Sequence, residues 1–169
     1  EGQVGPVQQT VAYAHPRGAA VEAEMASPPG LSEHLDGAPA DLSLTEARAA
    51  VRFVDETGID ALAVNVGQVH LHGRDKVALD LNRLAELKRS VPVPLVLHGA
   101  TSVRPDDLAT AARLGARKIN VGSVIKRTYF EAMRRASIAA GDGYSPYDVI
   151  GSGLEKDVLV AGRVAMQRV

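Results

Sequence analysis

Two histidines are the side chains of this sequence best placed for chemistry. His98 ends an apolar run over residues 94–98, and His70 follows an earlier run, over residues 61–66, by a short loop. Neutral imidazole nitrogens are good ligands for zinc. If the two runs are neighbouring strands, both rings can face one point, and the pair predicts part of a metal site. Catalytic zinc normally has three protein ligands, so this set is incomplete, and a hydrogen-bonded structural role is the alternative.

Two acidic side chains stand at alternate positions of another short run. Glu22 and Glu24 lie within residues 21–25 and would share one face of a strand. One interpretation makes them carboxylates of an active site, either beside a metal or in proton transfer. The other makes them a polar layer inside a barrel, paired with a lysine or an arginine. The sequence favours neither.

Small residues follow the last two apolar runs, each time before a helical pattern. These segments are residues 99–102 and 120–123. Backbone amides at helix starts attract anions, and glycine lets a ligand approach the backbone closely. The two segments therefore predict a phosphate site, with ordinary turns as the alternative.

The elements that would carry these residues alternate strictly along the chain. Runs typical of strands cover residues 21–25, 61–66, 94–98 and 118–121, and amphipathic patterns typical of helices lie between and after them. Residues 4–15 predict an opening helix. Residues 145–169 predict a last helix, with one side formed by Leu154, Val158, Ala161 and Ala165. Such alternation predicts an α/β fold with a parallel sheet.

Two architectures fit this order, an open doubly wound sheet and a (β/α)8 TIM barrel. Polar residues cluster at the carboxyl ends of the second, third and fourth runs, among them Gln68, His98 and Asn120. This favours the barrel, which builds its sites at the carboxyl ends of its strands. A full barrel has eight strands and typically about 250 residues. The 169 residues here therefore predict one domain, residues 1–169, that forms half a barrel of four strand–helix units and a terminal helix.

The composition excludes several classes of function. The formal net charge is −1, so the basic surplus of a nucleic-acid-binding protein is missing. No apolar stretch reaches the roughly 18 residues that a membrane span needs. No cysteine is present, which excludes disulfides, thiolate metal ligands and cysteine nucleophiles. The sequence predicts neither nucleic acid nor a membrane as a partner.

Seven short motifs, taken in order, resemble those of the class II, metal-dependent ketose-bisphosphate aldolases, the family of the fructose- and tagatose-bisphosphate aldolases. Their order and spacing carry the resemblance over nearly the whole chain, and the separation of His70 from His98 suits the tagatose-type branch. The motifs are Tyr13-Ala14-His15, Val21-Glu22-Ala23-Glu24, Ala61-Leu62-Ala63-Val64, Val69-His70, Leu79-Asp80, Pro94-Leu95-Val96-Leu97-His98-Gly99 and Lys118-Ile119-Asn120-Val121.

The resemblance implies a (β/α)8 barrel enzyme of carbohydrate metabolism, of which this chain is the carboxyl-terminal half. Members of the family bind a divalent metal, usually zinc, through three histidines, and His70 and His98 fall on two of those positions. The third ligand is expected upstream of Glu1, and a monovalent cation is an optional second cofactor. The metal acts as a Lewis acid on the ketone of dihydroxyacetone phosphate and stabilises its enediolate.

The resemblance also implies contacts to the substrate. It places Glu24 near the metal without making it a ligand. The implied substrate-binding positions are Gly99, Thr101, Asn120, Val121, Gly122 and Ser123. Departures from the family pattern occur at Leu71, Ala100 and Gly122. Because Leu71 replaces a glycine that lets the backbone approach the substrate, the preferred sugar stays open.

The expected activity is reversible cleavage of a phosphorylated ketose, of the fructose- or tagatose-1,6-bisphosphate type, to dihydroxyacetone phosphate and an aldehyde. The aspartate that shuttles the proton is expected upstream of Glu1, so the 169-residue chain alone is expected to be inactive. The complete protein is expected to be a cytoplasmic homodimer or homotetramer. Two alternatives stay open: a non-catalytic aldolase-like subunit that stabilises a partner, and another phosphate-binding barrel enzyme that uses no metal.

Overall fold

The structure, a computed structural model, describes residues 3–25, 44–69 and 76–169 of the chain. Within these residues the strands are β1 (Glu22–Glu24), β2 (Ala61–Ala63), β3 (Leu95–Leu97) and β4 (Ala116–Ile119). The helices are α1 (Val4–Ala14), α2 (Ala47–Thr57), α3 (Leu81–Ser90), α4 (Pro105–Leu114), α5 (Ser123–Ala140), α6 (Pro146–Val149) and α7 (Val158–Met166). Short 3-10 turns cover His15–Arg17 and Ala100–Ser102.

The strands form one parallel sheet in the order β1-β2-β3-β4. Each of α2, α3 and α4 lies in the connection between two consecutive strands. A doubly wound sheet reverses its strand order at a switch point, whereas a barrel keeps consecutive strands as neighbours. The predicted α/β fold, half of a (β/α)8 TIM barrel, is confirmed.

The core lies between the sheet and the apolar stripes of its helices. Helix α3 is typical: the side chain of Asp80 caps it by accepting from the backbone N–H of Arg83 at 2.9 Å. One turn and two turns later, Leu84 and Leu87 are fully buried, as is Leu62 in β2. Burying a leucine side chain contributes roughly 1.5–3 kcal/mol, so this face fixes the sheet on its helices.

The strand register decides which residues share each face of the sheet. Paired residues of parallel strands point to the same side, and alternate residues of one strand do too. One row belongs to the core face: Ala23, Leu62 and Leu95. A second row lies on the opposite face: Glu24, Ala63, Val96 and Lys118. Glu24 and Lys118, two charged side chains from different strands, therefore lie on one face of the sheet, away from the helices.

Contacts divide the chain into two compact units, Glu1–Val121 and Gly122–Val169. In the second unit α5 packs against α7, and the contact is close at Gly162. A Cβ added there would lie 2.6 Å from the ring atom Cε2 of Tyr129, so glycine is required by the approach of the two helices. Whether residues 1–169 are one domain is not decided by this division and stays a prediction. Among the described residues, no helix has the length and apolar character to cross a bilayer.

Several predicted elements were wrong in extent, and the strand predicted over residues 61–66 ends at Ala63. The predicted last helix over residues 145–169 is two helices, α6 and α7, and Leu154 lies between them with 57% of its surface exposed. The break occurs because Gly151 and Gly153 adopt positive φ angles of 76° and 73°, which end a helix. The predicted strand over residues 118–121 lies two residues earlier, because the register shift between β3 and β4 pairs Leu95 with Ala116.

Candidate active site

His98 lies directly after β3, between the two carboxylates of β1. Its Nε2 is 3.0 Å from Oε1 of Glu22, and its Nδ1 is 3.7 Å from Oε1 of Glu24. The three side chains are 24%, 24% and 18% exposed, so the group is largely shielded but open to a ligand. The first contact has hydrogen-bond length and the second is too long for one.

A lysine on β4, at the other edge of the sheet, contacts the same group. Nζ of Lys118 is 2.9 Å from Oε2 of Glu22. Three strand spacings separate β1 from β4, which is roughly 14 Å along a flat sheet. Because Glu22 and Lys118 are in contact, the sheet must curve so that these two strands approach each other. The side chains between them on this face are small, Ala63 and Val96. Small residues at these positions leave the path of the ion pair clear.

The ion pair and the histidine set the charge of Glu22. Burial raises the pKa of Glu22, but the hydrogen bonds from Lys118 and His98 together lower it by more. The pKa therefore lies below its ordinary value of 4.5. Glu22 is therefore an ionised acceptor at neutral pH. Glu22 forms the ion pair with a lysine that one interpretation of the paired glutamates expects. The other interpretation, as carboxylates of an active site, stays a prediction.

The loop after β3 is shaped by its own backbone. Gly99 has a φ of 66°, a left-handed conformation that glycine adopts without strain. The backbone of Asn120 donates to the carbonyl of Leu97 at 2.8 Å and accepts from Ala100 at 3.2 Å, which brings Asn120 beside His98. The amides of Ala100, Ser102 and Val103 all donate to backbone carbonyls. A phosphate bound here would therefore be held by other groups.

His70, the second predicted ligand, and Leu71 lie outside the described residues. The described residues on either side of that segment both contact the loop after β3. Oγ of Ser102 is 2.5 Å from the carbonyl oxygen of Val69, and Nζ of Lys76 is 2.5 Å from that of Thr101. The connection that follows β2 is thus attached to the loop that follows His98.

The remaining predicted substrate residues are spread over both units. Thr101 is buried, with 7% of its surface exposed, and Asn120 is half-buried. Val121, 43% exposed, ends the first unit. Gly122 and Ser123 belong to the second unit, where both are exposed and Ser123 begins α5. The substrate roles of these residues stay predictions.

The donor chemistry beside His98 fits one corner of a zinc site. Ionised Glu22 only accepts, so it takes the proton on Nε2 and leaves a lone pair on Nδ1 in the neutral ring. That lone pair faces Oε1 of Glu24, and two acceptors 3.7 Å apart are stabilised by a cation or a proton. Metal-binding histidines commonly donate their other ring N–H to a carboxylate. Within the described ranges, no three side chains from His, Cys, Asp and Glu form a group able to hold a metal ion.

The sequence did not single out Lys118 as part of this group. Lys118 appeared only within a strand and a motif, because its role depends on register with β3 and on the curvature of the sheet. One other polar residue after β2 is structural: Gln68 is fully buried, with its side chain bonded to the backbone of Val64 and Val66. Backbone groups that a turn leaves unpaired are satisfied in this way.

The likeness to known proteins extends over almost the whole chain. The family described as "Fructose-bisphosphate aldolase class-II" matches residues 3–167. The chain belongs to this family. A curated relative, the 6-phospho-5-dehydro-2-deoxy-D-gluconate aldolase of Shouchella clausii (strain KSM-K16), is 33% identical over 147 residues, which cover 87% of this chain and 49% of the relative. This class II aldolase chain thus spans about half the length of that relative.

Solved structures of aldolases share the fold. The putative fructose-1,6-bisphosphate aldolase of Coccidioides immitis is 30% identical, with a TM-score of 0.70. The match includes 96% of this chain and 54% of the Coccidioides chain. The YdjI aldolase of Escherichia coli K12 is 26% identical with a TM-score of 0.64, and 96% of this chain covers 51% of it. The fructose-bisphosphate aldolase of Campylobacter jejuni, 18% identical with a TM-score of 0.68 over 98% of this chain and 53% of its own, shows the fold alone.

Proposed function

We propose that this protein is a zinc-dependent aldolase that cleaves a phosphorylated ketose to dihydroxyacetone phosphate and an aldehyde. In that reaction a hydroxyl gives its proton to a base and becomes the aldehyde as the adjacent carbon–carbon bond breaks. The electron pair of that bond stays on the ketone fragment, which then takes up a proton to give dihydroxyacetone phosphate. Family membership supports the lyase class. The single observation that carries the proposal is the contact of His98 with Glu22 at the carboxyl end of β3, where barrel enzymes build their sites.

Each residue near His98 has a distinct part in this proposal. His98 and His70 are two zinc ligands, and Glu22 orients the ring of His98 through Nε2. Glu24 lies beside Nδ1, with its Oε1 at 3.7 Å. Bound zinc supplies Lewis-acid polarisation of the ketone. The contacts of Val69 and Lys76 with the loop after β3 support the pairing of the two histidines, because these residues flank the segment that contains His70.

The phosphate of the substrate is proposed to bind around the loops after β3 and β4. The residues proposed for this role are Gly99, Thr101, Asn120, Val121, Gly122 and Ser123. A monovalent cation remains an optional second cofactor, and assembly into a homodimer or homotetramer stays a prediction. Two of the relatives are named for different sugars, one as an aldolase of 6-phospho-5-dehydro-2-deoxy-D-gluconate and one as a putative aldolase of fructose 1,6-bisphosphate, and both compounds are candidate substrates.

The metal content of the purified complete protein, which includes the third ligand expected upstream of Glu1, tests the site. His98→Ala should abolish tight zinc binding, measured by elemental analysis after dialysis. His15→Ala is a matched control, because His15 also pairs with a carboxylate, Asp60 at 2.9 Å, but at the amino ends of the strands. Unchanged zinc content in His98→Ala, or equal loss in both variants, would contradict the assignment.

A substrate panel tests the reaction. The complete protein, with the residues expected upstream of Glu1, should release dihydroxyacetone phosphate from at least one of fructose 1,6-bisphosphate, tagatose 1,6-bisphosphate and 6-phospho-5-dehydro-2-deoxygluconate. Unphosphorylated fructose should give none, and the 169-residue chain alone is expected to be inactive. Zinc binding without turnover of any of the three would instead support the non-catalytic subunit. Phosphate-ester binding without zinc would support a metal-independent barrel enzyme.

A further inference from the structure

We propose that Lys118 is a positioning residue for His98 and acts through the carboxylate of Glu22. This inference rests on the proposed function, because it takes His98 as a zinc ligand. The three residues come from β4, from the position after β3 and from β1, so the arrangement depends on the whole curvature of the sheet. The geometry assigns Lys118 a task that its position in a strand alone would not indicate.

The carboxylate of Glu22 is held at both oxygens. Oε2 accepts from Nζ of Lys118 at 2.9 Å, and Oε1 accepts from Nε2 of His98 at 3.0 Å. A carboxylate with one partner turns easily about its last bond, whereas one with a partner on each oxygen has a fixed plane. Lys118 therefore determines where Oε1 lies, and Oε1 determines the orientation of the imidazole.

The same contacts select the tautomer of His98. Beside an ammonium group Glu22 stays ionised and only accepts hydrogen bonds. In the neutral ring Nε2 then carries the proton, and Nδ1 keeps the lone pair. Metal ligation needs that lone pair on a defined nitrogen, and partners of this kind fix it in metal sites. Without Lys118 the carboxylate can turn away, and the ring is free to place its proton on either nitrogen.

The role is separable from stability. The side chain of Lys118 is 57% exposed, and ion pairs with an exposed partner contribute little to folding. Its neighbours in the same row of the sheet, Ala63 and Val96, are apolar and form no hydrogen bond with the ammonium group. Lys118→Met keeps most of the aliphatic stem, so this variant should fold and leave only the positioning of Glu22 changed.

Two readouts test the proposal in the purified protein. The first is the 15N NMR spectrum of the His98 ring in metal-free protein, which distinguishes the two tautomers. The second is the zinc dissociation constant from competition with a chromophoric chelator. The wild type should show the Nε2–H tautomer. Lys118→Met should show a mixture and bind zinc about tenfold more weakly, the lower end of what loss of such a partner costs.

Controls separate positioning from a general effect of charge. Lys156→Met removes an exposed lysine of the second unit and should change neither readout. Lys118→Arg should restore the tautomer. In a Glu22→Ala background, Lys118→Met should cause no further loss of zinc affinity, because the intermediary is already gone.

The proposal is overturned if Lys118→Met matches Lys156→Met in both readouts, or if its full effect persists in the Glu22→Ala background. Failure of the proposed function looks different. If the wild type binds no zinc, that function fails, while the tautomer comparison still decides whether Lys118 positions the ring.

Discussion

The hydroxyl of Ser102 is the group whose removal should most directly loosen the loop beside His98. Its Oγ lies 2.5 Å from the carbonyl oxygen of Val69 and 2.9 Å from that of Gly99, and the residue has no exposed surface. The contact with Val69 joins the loops that follow β2 and β3. Ser102→Ala deletes the hydroxyl, adds no bulk and leaves the backbone free to keep its path.

The two carbonyls near this hydroxyl are affected unequally. The Gly99 carbonyl also accepts from the backbone N–H of Ser102 at 3.2 Å, so it keeps a partner. The Val69 carbonyl loses the hydroxyl. One buried polar group without its hydrogen bond costs about 1–3 kcal/mol, and with a single carbonyl affected we expect a loss of about 1–2 kcal/mol in the free energy of unfolding.

Urea unfolding followed by far-ultraviolet circular dichroism measures that loss, and amide hydrogen exchange locates it. If the loop opens locally, its amides should exchange about tenfold faster for each 1.4 kcal/mol. Ser137→Ala is the control, because that hydroxyl bonds the Met133 carbonyl at 2.9 Å on an exposed helix face, where removal changes stability by less than about 0.5 kcal/mol. Equal stability of the two variants, with unchanged exchange at residues 99–103, would refute the reasoning.

Two further predictions concern the second unit. Gly162→Ala places a Cβ within 2.6 Å of the Tyr129 ring and should destabilise the protein by about 1–2 kcal/mol in urea unfolding. The same change in a Tyr129→Leu background should be neutral or stabilising, since alanine is the better helix former. Gly143→Ala, in a turn where a Cβ meets no atom within 4 Å, should change stability little. A loss of equal size for Gly162→Ala in both backgrounds would contradict the steric explanation. Asp157 accepts backbone N–H bonds, led by that of Gly153, and they lower its pKa below the ordinary 3.8. Its stabilisation is therefore complete above that value and is lost as the pH falls through the lower pKa of the folded state. The stability difference between the wild type and Asp157→Asn should shrink on acidification below about pH 4, and a difference that is constant from pH 7 to pH 3 would show that the charge has no part in it.

Local patterns predicted most elements of the fold but not their ends. The apolar spacing was enough to predict α2 and α3, because the apolar stripe of an amphipathic helix is stable when it packs on the core. The predicted last helix is too long because the apolar spacing continues through Leu154. The positive φ angles of Gly151 and Gly153 interrupt the helix there. Periodicity reports which side chains can be buried, and it is insensitive to a glycine that leaves helical geometry.

Strand register accounts for most of what the sequence missed in the candidate site. A one-residue change of register moves a side chain to the other face of a sheet, and the shift between β3 and β4 pairs Val96 with Lys118. The sequence alone could therefore offer an unnamed lysine or arginine as the partner of Glu22 but could not choose between Arg117 and Lys118.

By itself the sequence determined the class of fold, the family and the position of His98 after a buried strand, because each follows from local patterns and their order along the chain. Only the tertiary structure decided which groups surround that histidine. Glu22, His98 and Lys118 are distant in sequence and meet because three parallel strands curve around one face. A hydrogen bond forms only when both atoms arrive within about 3 Å, and that requirement is set by the packing of the whole sheet rather than by any local pattern.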